Sequence, residues 1–296
     1  MSTFPPFLLH FFLFFPIFAP VIFHSSIIYH PMESLPTMSI GSHLEVLRQM
    51  LIRIAVAVLC LSAIIFCFKE ETFNLLLAPK EYDFVTFRAI EHIAAWFASL
   101  VGQSDSFHFE PYHVNLISTE LSAQFMMHVT SAFSLGALLA SPYILYELCK
   151  FVSPALYEHE RRYSGLVTIS SYLLFVLGVL MTYFVLFPIS FRFLATYQVD
   201  ASVQNTITIQ SYISTFTTLT LSMGLTFQLP VLSWIMAKIG LLNAEFMIRF
   251  RKHAFLLILI LAAIITPPDI FTLILVAIPL YALYEACIVI VRKNQS

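Results

Sequence analysis

The densest chemistry in this sequence sits in one connector, FVSPALYEHERRYSG, from Phe151 to Gly165. Five consecutive ionisable side chains, Glu158 to Arg162, stand there in a chain that is only 11% charged. Two carboxylates among bases can do one of two things. They can pair locally and fix topology, or they can hold a cation from outside. On a helix, Glu158 meets Arg161 at i+3 and Arg162 at i+4, a contact worth a few tenths of a kcal/mol. Glu160 has Leu156 at i−4 and Ser164 at i+4, so neither neighbour is basic and its carboxylate is left for an outside cation. Bond-making chemistry finds no comparable set. His159-Glu160 is followed by Arg161 and Tyr163, not by the second histidine of a zinc helix. No phosphate loop, dinucleotide fingerprint or nucleophile elbow occurs, and seven glycines are few for such loops. The four cysteines are scattered through apolar segments as packing residues, with no metal-ligand spacing. No metal, cofactor or nucleic acid is expected, and no enzymatic activity.

The elements that must position this connector are membrane spans. Of 296 residues, 59% are hydrophobic and 15% aromatic, with a mean hydropathy of +0.86. Soluble domains lie near 45–50% apolar, and a span needs about 20 apolar residues. Six candidates follow residue 48, at roughly 50–68, 123–146, 165–191, 211–236, 254–266 and 271–291. The fold expected is an all-α integral membrane protein with six transmembrane helices in a concave bundle, helices five and six being short. Eleven of the fifteen Lys and Arg residues fall on the side of the 147–164 connector. That side is therefore expected to be cytoplasmic, together with both termini of the core. The stretch FRAIEHIAAWFASLVG has helical period and should lie at the interface. Residues 1–40 are an apolar extension with no Lys or Arg, and its stretch FPPFLLHFFLFFPIFAPVIF carries four prolines. Either they precede a true start at Met32 or Met38, or they form an extra anchor. The main domain is 41–296.

Several side chains stand out against this background. In SHLEVLRQMLIR, Leu44, Leu47 and Leu51 share one helical face while Glu45, Arg48 and Gln49 share another, as in a helix lying on the membrane surface before the first span. Ser42 and Glu45 also fit a capping box. Ser153-Pro154 reads as an N-cap followed by a first-turn proline. Gln228 lies inside the fourth span just before Pro230, which predicts a kink. An amide there either serves that kinked backbone or meets a partner. Asp269, after the Pro-Pro turn, can cap the sixth helix, and Glu285 can reach the nearer membrane surface.

These motifs resemble one family. FVSPALYEHERR is similar to the FxxPxLYxxER signature of TatC, the multi-span subunit of the twin-arginine protein translocase. SHLEVLRQ is similar to that family's HLxELR opening, and ITPPDIFTLILVAIPLYALYE to its last loop and helix. The segments at 183–194 and 224–231 resemble it too. The resemblance implies a signal-peptide receptor and scaffold in the bacterial plasma (inner) membrane. It would bind the paired arginines of folded precursors, recruit TatA- and possibly TatB-type single-span proteins, assemble with itself among membrane lipids, and use the proton-motive force. It places signal-peptide contacts at Glu160, Glu45, Arg48, Phe151, Pro154, Leu156, Tyr157 and Arg161, and partner-helix contacts at Gln228, Thr266 and Asp269. The HLxELR glutamate falls on Val46, with the acid one residue earlier at Glu45, about 100° around a helix. A different class, a secondary transporter with a midplane polar site, would require inverted repeats and several buried ionisable groups, and no repeat is visible.

Overall fold

The structure is a computed structural model that describes residues 40–101, 112, 114–152, 164–200, 202 and 205–295. The extension at 1–39 and most of the 153–163 connector's signature lie outside them. The described residues are helical almost throughout. α1 (Ile40–Cys67) packs on α4 (Ala123–Val152) more extensively than any other helix pair. Gly136 makes that contact possible, since a Cβ there would stand 2.2 Å from Ser62 Oγ and 2.8 Å from Ser62 backbone atoms. Small residues let helix backbones approach closely where lipid gives no hydrophobic reward for association.

Between these helices lie α2 (Lys69–Leu77), a 3₁₀ turn (Ala78–Lys80) and α3 (Val85–Val101). They cover one end of the bundle, here named the capped end. Leu76 and Phe87 are buried there. The next span joins α5 (Ser164–Met181), a π-helical turn (Thr182–Leu186) and α6 (Phe187–Thr196). Pro188 has no N–H for the carbonyl of Phe184. The hydroxyl of Thr86 on α3 donates to that carbonyl instead, tying the cap to the span. β1 (Leu116–Ile117) and β2 (Ile207–Thr208) form a short parallel pair, Leu116 opposite Ile207. Asn205 closes α6 by donating to the carbonyls of Ala195 and Tyr197 at 3.2 and 2.7 Å.

α7 (Ile209–Thr226) and α8 (Leu229–Lys238) form the following span, interrupted at Phe227–Gln228 as Pro230 predicts. Gly240, at φ +77°, ends α8 in the left-handed region that glycine tolerates. Then come α9 (Ala244–Arg249), α10 (Arg251–Ile265) and α11 (Ile270–Gln295). The core at the capped end is aromatic. Phe187 meets Tyr212 and Phe216 edge-on, each at 5.0 Å. Tyr183 and Tyr212 send their hydroxyls to the carbonyls of Leu75 and Leu76 at 3.0 and 2.9 Å.

Among the described residues, five helical segments are long and apolar enough to cross a membrane: Leu44–Cys67, Ala123–Val152, Gly165–Thr196, Ile209–Lys238 and Ile270–Asn294. α10, at 15 residues, reaches roughly 22 Å against a hydrocarbon core of about 30 Å. The fifth helix is therefore short, as its sequence predicts. The sixth is not. α11 runs 26 residues because Asp269 starts it and Arg292 and Lys293 extend its last turn, where cations complement the helix dipole. The surface helix expected before the first span is also absent as a separate element: α1 is unbroken from Ile40. The stretch expected at the interface is helical as far as Val101, in α3.

Candidate functional site

The end opposite the cap carries the start of α1, the end of α4, the start of α5 and the ends of α8 and α11. It is here named the basic end, for Arg48, Arg53, Lys150, Lys238, Arg249, Arg251, Lys252, Arg292 and Lys293. Three carboxylates of this end each hold a resident arginine. Glu45 takes Arg48 at 2.7 Å, and Gln49 donates to the same oxygen at 3.0 Å. The helical i,i+3 and i,i+4 spacing brings these side chains together on one exposed face. Because α1 begins two residues before Ser42, Glu45 is not the third residue after a cap, and the capping-box reading gives way to this local pairing. Glu285 on α11 takes Arg251 from α10 at 2.7 Å and accepts from the Tyr281 hydroxyl at 3.0 Å. Glu147 on α4 takes Arg53 from α1 at 3.3 Å and accepts from Tyr143 at 3.1 Å.

The Glu147 group escaped the sequence reading, where Arg53 served only as a topology charge. The signal was present: Arg53 lies inside the first apolar span and Glu147 at the edge of the second, and charges placed so are costly unless paired. Glu147 is buried, with 6% of its side chain exposed, whereas Arg53 is nearly half exposed. Phe151 follows Glu147 by one helical turn and is half-buried. Glu160, Pro154, Leu156, Tyr157 and Arg161 lie outside the described residues, as does the local pairing expected of Glu158.

Gln228 stands at the interruption between α7 and α8. Its amide donates to the carbonyl of Ser171 on α5 at 3.0 Å, and its oxygen accepts from the Ser171 hydroxyl. The amide therefore joins two spans rather than serving its own broken turn. At the capped end, Thr266 is buried and donates to Ala262. Asp269 Oδ1 caps α11 by accepting from the N–H of Thr272 at 2.6 Å. Asp269 Oδ2 is buried without a hydrogen-bond partner among the described residues.

The family model for the Sec-independent protein translocase protein (TatC) matches residues 42–279. The chain belongs to the TatC family. A TatC of Blattabacterium sp. subsp. Periplaneta americana is 37% identical over 254 residues, which is 86% of this chain and 94% of that one. A TatC of Desulforapulum autotrophicum is 34% identical over 247 residues, 83% of this chain and 82% of the relative. A crystal structure of the twin-arginine translocase receptor TatC has a TM-score of 0.68 at 29% identity, covering 86% of this chain and all of that one. This TatC is thus a multi-pass inner-membrane component of a Sec-independent protein translocase, working with other subunits of that complex and not as an enzyme. The small-solute transporter alternative falls with that assignment.

Proposed function

We propose that this TatC is the receptor of its translocase for twin-arginine signal peptides, with its basic end facing the cytoplasm. The observation that carries the reading is the build of that end: Glu45, Glu147 and Glu285 each bind a guanidinium already. A surface assembled from arginine–carboxylate pairs has the chemistry to receive further arginines. By sequence, Glu160 is the carboxylate with no basic neighbour at helical spacing, and it is the seat proposed for a guest arginine. A guanidinium suits the role because its planar fork takes a carboxylate bidentately and stays charged. One exposed pair supplies only about 0–1 kcal/mol, so recognition needs further contacts from Phe151, Pro154, Leu156, Tyr157, Arg161, Arg48 and Glu45.

TatA- and TatB-type single-span helices are the proposed partners at the capped end. Asp269 Oδ2, without a hydrogen-bond partner among the described residues, would offer an acceptor there, three residues after Thr266. Gln228, engaged with Ser171, would keep the α5–α8 wall in register for them. The proton-motive force is the proposed energy source for transport.

The test is Glu160→Lys in cells. Export of twin-arginine precursors should stop while general secretion continues. A crosslinker at position 160 should capture a signal peptide with paired arginines and not one with paired lysines. Normal export in the charge-reversed variant, or equal capture of both peptides, would refute the reading.

A further inference from the structure

We infer that Glu147 is a second carboxylate for the signal peptide, and that Arg53 is a resident guanidinium which the second guest arginine displaces. The inference rests on the receptor reading above and names a specificity determinant within it. Glu147 is the only buried Asp or Glu among the described residues. A buried carboxylate is costly unless paired, so the strongest contact would be expected here. The opposite is found. Arg53 approaches one oxygen with one nitrogen at 3.3 Å, while the exposed pairs Arg48–Glu45 and Arg251–Glu285 close to 2.7 Å. Charge-assisted N–H···O bonds lie near 2.7–2.9 Å. The Tyr143 hydroxyl is also long, at 3.1 Å. The most buried carboxylate of this end thus has the slackest arginine.

Its arginine is also half outside. With 47% of its side chain exposed, Arg53 is only half enclosed by the α1–α4 contact, and in the proposed exchange it swings outward. An incoming guanidinium then takes its place with no change of charge in the pocket, so the exchange leaves no buried carboxylate unpaired. A lysine cannot match a two-pronged seat, because its ammonium is a point charge on a flexible stem. Glu147 lies one turn before Phe151 and 13 residues before Glu160 on the same chain segment. With Glu160 seating one arginine in the receptor reading, Glu147 seats the other, which accounts for a demand for two.

The experiment measures binding of a labelled signal peptide carrying RR, KR, RK or KK to the full chain in lipid nanodiscs. Glu160→Gln serves as a separate marker of the receptor site. Arg53→Gln is expected to bind the RR peptide more tightly, by about threefold to tenfold, because no resident competes. Arg53→Lys should act in the same direction and covers the case in which Arg53→Gln does not fold. The double variant Arg53→Gln/Glu147→Gln removes both charges together and leaves no orphan. It should lose arginine-over-lysine preference at one of the two peptide positions and keep it at the other. A structural clamp predicts the other sign: unchanged or weaker binding on loss of Arg53. That result, or full two-position preference in the double variant, overturns the inference. If the unaltered chain does not distinguish RR from KK, the receptor reading itself fails. If it does, and Glu160→Gln weakens binding while Arg53→Gln does not tighten it, only the exchange fails.

Discussion

The two ends of this TatC are held by different forces. At the capped end, buried rings meet at 5.0 Å and two tyrosine hydroxyls satisfy the final carbonyls of α2. One of its cations is treated in the same manner: Arg192 lies over the rings of Tyr112 and Phe87 at 4.7 and 5.0 Å, while Lys80–Glu81 and Arg88–Asp83 pair within the cap itself and join no two spans. At the basic end, ion pairs with half-exposed arginines, Arg251–Glu285 and Arg53–Glu147, join helices beside a small apolar cluster of Ala244, Met247, Cys287, Ile288 and Val291. Aromatic packing is short-ranged and indifferent to salt. Ion pairs are screened and exchangeable. One end is built to stay as it is, and the other to trade partners.

The comparison can be broken at its strongest point first. Tyr212→Ala removes a fully buried ring and its hydrogen bond, and should lower stability by about 3–5 kcal/mol. Tyr212→Phe, which only orphans the Leu76 carbonyl, should lose about 1–3 kcal/mol. Thermal unfolding in detergent at low and high salt checks both, and neither loss should depend on salt. Next comes the Gln228–Ser171 pair between the ends. Gln228→Leu should cost about 0.6–1.7 kcal/mol, the range for polar contacts within membranes. Combining it with Ser171→Ala should add little in a double-mutant cycle, since both changes remove one contact. At the basic end, Glu285→Gln should cost no more than about 1 kcal/mol, a loss that shrinks toward zero in high salt. A large, salt-independent loss there would erase the contrast between the two ends.

The smallest effect concerns pH. Burial pushes the Tyr112 phenol up to about 12 from 10.0, against the opposing charge of Arg192. The folded chain thus favours the neutral phenol. Its contribution is complete below pH 10 and is lost as pH rises from 10 toward 12. Comparing melting temperatures of the parent chain and Tyr112→Phe over that window should show the parent falling faster.

Much of this architecture was legible in residue order. Long apolar runs place the spans, Pro230 places the break before α8, and the short run after residue 254 foretells a short α10. Other features were not, because they depend on which helices meet. Nothing local distinguishes Ser171 as the mate of Gln228, 57 residues away. Arg53 and Glu147 look like boundary charges until α1 lies against α4. Glu45 suggested a cap because its spacing from Ser42 fits one, yet the helix starts earlier and the same carboxylate turns to Arg48. The length of α11 was misjudged because the apolar run at 271–291 leaves out the last turn, which Arg292 and Lys293 stabilise.

The π-helical turn at Thr182–Leu186 divides its span into two parts. Such a turn carries one more residue than the α-helical path it replaces. Everything after it is rotated relative to everything before, which is how Phe187 and Phe191 come to point at Tyr212 while the α5 half addresses Gln228. The span is therefore two independently phased rods joined by a spare residue. Gaining or losing a single amino acid at that joint retunes one rod against the other. The same event elsewhere in the span would misalign every neighbour at once.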